Sequence, residues 1–85
     1  MKKLLGFVLI HRLKQDFVFG LHFDHGLDVI AYVPTPALAK VFKDFKEIES
    51  FVLQLEQCNF DVAKLFDVGD HYVVEFETTV STSPN

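Results

Sequence analysis

Between residues 17 and 23 the chain alternates. Phe17, Phe19, Leu21 and Phe23 take one parity, and Val18, Gly20 and His22 take the other. A period of two is the signature of a strand, because successive side chains leave a pleated backbone on opposite faces. This run constrains its neighbours, since a turn signal stands at each end of it. Upstream, Lys14-Gln15 separates it from the apolar run 4–13, and pairing Leu13 with Asp16 sets Ile10 opposite Phe19 and Val8 opposite Leu21. Downstream, Asp24-His25-Gly26 reads as a three-residue hairpin loop with Gly26 at the left-handed position. Pairing Phe23 with Leu27 then sets Leu21 opposite Val29 and Phe19 opposite Ala31. The sequence therefore predicts an antiparallel three-stranded meander over 4–13, 17–23 and 27–33.

Both turns predict one shared apolar face: Val8, Ile10, Phe17, Phe19, Leu21, Phe23, Leu27, Val29, Ala31 and Val33. That face is expected to be the core. The opposite face carries Leu5, Phe7, Leu9, His11, Leu13, Val18, Gly20, His22, Asp28, Ile30 and Tyr32, and is mixed without being polar. The first strand is apolar on both sides, as befits a strand covered twice.

Thr35-Pro36 opens a helical pattern, with Thr suited to the cap and Pro to the first turn. Leu38, Val41, Phe42, Phe45, Ile48, Val52 and Leu55 recur at helical spacing, which predicts one amphipathic helix over 36–58 packed on the core face. A competing reading starts the helix at Phe45, because Asp44-x-x-Glu47 is a capping box, and makes 37–43 a strand. Further on, Tyr72, Val74 and Phe76 alternate with Val73, Glu75 and Glu77, which predicts a strand over 71–79. Residues 60–66 read as its hairpin partner or as a short helix. The class is α+β in a single domain, 1–80, with a polar tail at 81–85 expected to fray.

Composition narrows the function. The net charge is −4, with four basic residues and no acid in 1–14, against four basic and twelve acidic residues after them. Lys2 and Lys3 begin the first strand and Lys14 tips the hairpin, so a strand of roughly 35 Å separates them and no compact phosphate patch forms. Nucleic acid is thus not an expected partner. The apolar run Leu4–Ile10 is too short to span a bilayer, and His11-Arg12-Leu13-Lys14 lacks the small residues of a leader cleavage site. A buried first strand, no membrane, and a cytoplasmic setting suited to the single Cys58 are the expectations. No phosphate loop or other cofactor motif is present, so no cofactor is expected.

Chemistry is sparse. His22, Asp24, His25 and Asp28 cluster at the second turn, and the meander register sets His22 across from Asp28. Imidazole and carboxylate at that spacing suit a divalent metal. Asp and Gly also belong in any tight turn, and a cross-strand charge pair explains the rest. Cys58 follows the helix C-terminus, the wrong end to lower a thiol pKa. One helix covers one face, so the second face is expected to be an interaction surface built from Leu5, Phe7, Leu9, His11, Ile30 and Tyr32. The sequence reading is a non-enzymatic protein-interaction module, self-associating as a homodimer through that face. The alternative is a small metal- or ligand-binding protein, or an enzyme, using the His/Asp turn.

Overall fold

The computed structural model describes residues 2–24, 27–53 and 59–81, and for 22–24, 27–29 and 81 the backbone alone. The elements are β1 (Lys3–His11), β2 (Phe17–Asp24), β3 (Leu27–Val33), a 3-10 turn (Pro36–Leu38), α1 (Phe45–Val52), β4 (Asn59–Asp67) and β5 (Tyr72–Ser81). They form one antiparallel sheet in the order β3-β2-β1-β4-β5, with α1 packed on it. The class is α+β, and residues 60–66 are a strand. The C-terminal hairpin extends the meander into a five-stranded sheet and makes β1 its centre. That position explains why β1 is apolar on both sides: Val8 and Leu9 point to opposite faces and neither retains any exposure.

The meander is present, but its register differs from the expected one. β1 meets β2 at Ile10↔Phe17, two residues from the expected pairing. The connection is longer than a two-residue turn because His11 organises it. Its main-chain N–H donates to Asp16 O and its carbonyl accepts from Gln15 N, both at 2.8 Å, with Gln15 at φ 61°. Its Nδ1 also accepts from Leu13 N and Lys14 N, at 3.2 and 3.1 Å. β2 meets β3 in the expected register at Phe17↔Val33 and Val18↔Tyr32, and one residue from it at Leu21↔Ile30 and Asp24↔Leu27. A bulge between Val18 and Gly20 breaks the alternation of β2, and a one-residue slip exchanges the two faces of a strand. Phe17 therefore packs with Val8, while Leu21 packs on the opposite side.

The single helix over 36–58 is not what forms. Pro36 starts one 3-10 turn, with Thr35 Oγ1 accepting from Ala37 N at 3.3 Å, and the chain is extended at Ala39. The capping box begins α1 instead. Asp44 Oδ1 accepts from Glu47 N at 3.0 Å, and Glu47 Oε1 accepts from Lys43 N, one residue before the cap, at 3.0 Å. Helical spacing in 38–42 loses to pairing: Phe7 N donates to Phe42 O and Phe42 N to Phe7 O, both at 2.8 Å, and Lys40 N donates to Val18 O at 2.9 Å. Residues 40–42 thus lie as a short extended segment in a fork between β1 and β2. The end of the expected helix, residues 54–58 with Cys58, lies outside the described residues, as do tail residues 82–85, while Ser81 still belongs to β5.

Gly6 makes the fork possible. A Cβ there would lie 2.5 Å from Phe42 O and 2.7 Å from Val41 Cγ1, and its φ is +147°. The connection changes faces at this point. Ala39 packs with Val8, Phe17, Ala63 and Leu65, whereas Phe42 packs with Leu9, Val18, Ile48 and Phe51 on the other side. The helix consequently covers the face of Leu9 and Val18. That is the reverse of the expected arrangement, which put the helix on the face of Val8 and Phe17. Phe42, Leu9 and Ile48 are essentially without exposure, and burying each such side chain stabilises by about 1.5–3 kcal/mol.

Candidate functional site

The residues expected to form an open interaction face meet the helix instead. Leu9 is fully buried, and Phe7, Ile30 and Tyr32 pack against the same cluster as Phe42 and Phe51. The Phe7 ring lies 5.0 Å from that of Phe45, and the His11 ring sits edge-on to Tyr32 at 5.4 Å. Leu5 alone of the six is substantially exposed, at 38%. A surface centred on Phe7 and Leu9 is therefore closed within the chain, because α1 starts after the fork and lands on that side.

The second candidate, His22, Asp24, His25 and Asp28, falls where side chains are not described, and His25 lies wholly outside the described residues. The backbone register sets Val29 across from His22 and pairs Asp28 with Phe23. The sequence argument had rested on His22 opposite Asp28. Among the described residues, no group of three or more His, Cys, Asp or Glu side chains could hold a metal ion, and no helix is long and apolar enough to cross a membrane.

Two other features emerge from the fold. The first is β5, which has β4 on one side and no strand on the other among the described residues. Tyr72, Val74 and Phe76 pair with Asp67, Leu65 and Ala63, so they share the face of the Val8 cluster. Phe76 is 66% exposed and Tyr72 43%. On the other face Glu75 is held by Lys2, whose ammonium also stands 4.4 Å from the centre of the Phe66 ring. Glu77 meets Lys64 at 3.5 Å. A bulge follows Phe76, since Phe76 pairs with Ala63 and Thr78 with Val62. The regular part of the open edge is thus Tyr72–Phe76. Asp67 Oδ1 accepts from Gly69 N at 2.8 Å and shapes the turn that leads into it.

The second feature is a groove of about 850 Å³ between β2 and α1. Phe19, Gly20 and Leu21 form one wall, and Lys40, Phe42 and Asp44 the other, with Lys46, Glu47, Ser50 and Phe51 of α1 closing it. It lies where the 40–42 segment, after Lys40 N bonds Val18 O of β2, turns to pair with Phe7 of β1. A smaller hollow of about 560 Å³ lies beside the His11 loop, lined by Arg12, Tyr32 and Phe60 among others. There Arg12 Nε meets Asp61 at 3.5 Å.

Neither feature was found from the sequence. Gly6 and Gly20 were the available signals, because glycine inside an otherwise apolar strand run marks a bulge or a close backbone approach. The alternation of Tyr72, Val74 and Phe76 predicts a strand, but alternation alone does not reveal which strand stands at an edge. No protein-family model matches the chain, no curated protein is similar to it in sequence, and no solved structure is similar to it in fold.

Proposed function

We propose that this chain is a non-enzymatic protein-interaction module that associates with a second copy of itself through the open edge of β5. The observation that carries the reading is the pair of exposed aromatics, Tyr72 and Phe76, on one face of an edge strand that has no outer neighbour among the described residues. An edge strand offers unpaired backbone groups to any further strand, and proteins that keep such an edge single usually place Lys or Pro on it. Tyr72–Phe76 has neither, and its one acid, Glu75, is engaged by Lys2 of its own sheet.

A two-fold axis normal to the sheet pairs residues of equal parity. Centred on Val74, it sets Tyr72 beside the mate's Phe76, and Phe76 beside the mate's Tyr72. Two cross-strand aromatic pairs contribute about 0.5–1.5 kcal/mol each. They add to the backbone bonds of a five-residue ladder, at about 0.5–1.5 kcal/mol each. Association costs at least about 4 kcal/mol, so the expected dimer is weak, with a dissociation constant in the upper micromolar range. The same register sets Val73 opposite Glu75 and so avoids opposing two glutamates. The lone Cys58 is the ground for assigning the module to a reducing, cytoplasmic setting.

Sedimentation equilibrium tests this. The parent chain is expected to dimerise with rising concentration. Phe76→Lys, a change at an exposed side chain, is expected to stay monomeric with an unchanged circular dichroism spectrum. A parent that remains monomeric to about 1 mM contradicts the reading.

A further inference from the structure

We infer that His11 is a proton-operated latch on the β1–β2 loop: its neutral ring holds the loop tip, and proton uptake releases residues 13 and 14 at the rim of the adjoining hollow. The latch lies within the loop and needs nothing from the β5 edge.

The state of the ring follows from its partners. His11 Nδ1 stands 3.2 Å from Leu13 N and 3.1 Å from Lys14 N. Main-chain N–H groups only donate, so Nδ1 accepts from both and carries no proton. The proton of the neutral ring is therefore on Nε2. A second proton has only Nδ1 to bind, and imidazolium has two donors and no acceptor. Proton uptake thus cancels both bonds at once and sets a donor against two donors. Turning the ring restores nothing, because neither nitrogen of the charged form keeps a free lone pair.

The ring also ties the loop to β3. It lies edge-on to Tyr32 with centres 5.4 Å apart, and Lys14 Nζ stands 5.6 Å from the centre of the same Tyr32 ring. His11, Arg12, Leu13 and Tyr32 line the hollow of about 560 Å³, so its rim changes when the tip is released. Leu13 is 90% exposed, so its side chain does not hold the tip by packing. The bonds from His11 N to Asp16 O and from Gln15 N to His11 O do not involve the ring, and the Gln15 side-chain amide donates to Arg12 O at 2.7 Å. The base of the loop therefore stays closed, and the change is confined to residues 13 and 14.

Among the described residues, the charged and titratable groups around the ring are Arg12 and Lys14 in the loop, Asp16 at its end, Tyr32 on β3, and Asp61 on β4, which meets Arg12 at 3.5 Å. Two cations stand with two carboxylates, so loss of the acceptor rather than net charge drives the release. Of these residue types, histidine is the one that ordinarily changes charge between about pH 5 and 8.

Nuclear magnetic resonance of the full chain tests the latch. The His11 ring shifts report proton uptake. Amide exchange at Leu13 and Lys14, expressed as protection relative to an unstructured peptide, reports the two bonds. Protection is expected to fall at least about threefold at both amides between about pH 8 and pH 5, the loss of one bond each. The midpoint is expected to match that of the ring shifts, and Gln15 is expected to keep its protection. His11→Asn supplies the control. Its side-chain oxygen is attached to Cγ as Nδ1 is, accepts from amides further along a turn, and does not titrate. Protection at residues 13 and 14 is expected to be independent of pH in that variant. Protection in the parent that stays constant while the His11 ring titrates overturns the assignment. So does a midpoint that departs from that of the ring shifts, and so does an equal fall in His11→Asn, which would place the responsive proton elsewhere.

Discussion

Replacing Gly6 with Ala tests the fork, from which both the helix position and the groove follow. The added Cβ meets Phe42 O at 2.5 Å and Val41 Cγ1 at 2.7 Å, and Phe42 O is the acceptor for Phe7 N. The backbone must also hold an L-residue at φ +147°. That strain is worth about 1–3 kcal/mol. Expelling the 40–42 segment forfeits the two Phe7–Phe42 bonds, at about 0.5–1.5 kcal/mol each. The total is about 2–6 kcal/mol, a large share of the stability of a chain this size, which is about 4–13 kcal/mol at 0.05–0.15 kcal/mol per residue. Gly20→Ala supplies the comparison. It carries similar strain at φ +157° with nothing near its Cβ, so it is expected to cost only the strain, about 1–3 kcal/mol. Urea unfolding followed by far-ultraviolet circular dichroism measures both, with stability read at unchanged slope. If Gly6→Ala costs no more than Gly20→Ala, residues 40–42 do not fill a fork between β1 and β2.

Other substitutions probe separate parts of the fold. Asp44→Ala removes the N-cap of α1 and is expected to destabilise by about 1 kcal/mol in the same unfolding assay. Were 36–58 one helix, Asp44 would be internal and alanine there would stabilise slightly, so the sign of the change decides between them. His11→Ala removes the acceptor of the Leu13 and Lys14 amides. Hydrogen exchange at those two amides is expected to accelerate, while the Gln15 amide, bonded to the His11 carbonyl, keeps its rate; unchanged exchange at Leu13 and Lys14 would contradict the assigned loop.

The class and the strands were legible because alternation is local. Phe17–Phe23 and Tyr72–Glu77 declare their period without help from the rest of the chain. The faces were not legible, because they depend on register, and register turned on details that alternation does not carry. The bulge at Gly20 reverses the parity of β2, and the His11 side chain builds a longer loop where Lys14-Gln15 had suggested a tight turn. The helix boundary was present in the sequence twice, once as Thr35-Pro36 and once as Asp44-x-x-Glu47. Only the second has its cap answered in full, since Pro36 leads to a single 3-10 turn before Phe42 pairs with Phe7. The sequence also raised the question of what lies over the second side of β1. Within the chain, α1 covers the Leu9 side, and the connection at Ala39 packs on the Val8 side. On the Val8 side the exposed aromatics stand at the β5 edge of the sheet, at Tyr72 and Phe76.

Amide hydrogen exchange along β5 at increasing protein concentration tests the edge-pairing account most directly. In Tyr72–Phe76 the amides that face away from β4 have no strand partner among the described residues. They are expected to exchange fast when the protein is dilute and to slow as it is concentrated from about 10 µM to 1 mM, across the expected dissociation constant. The amides that face β4 should keep their rates throughout. Outward-facing amides whose exchange does not change with concentration would contradict association through β5.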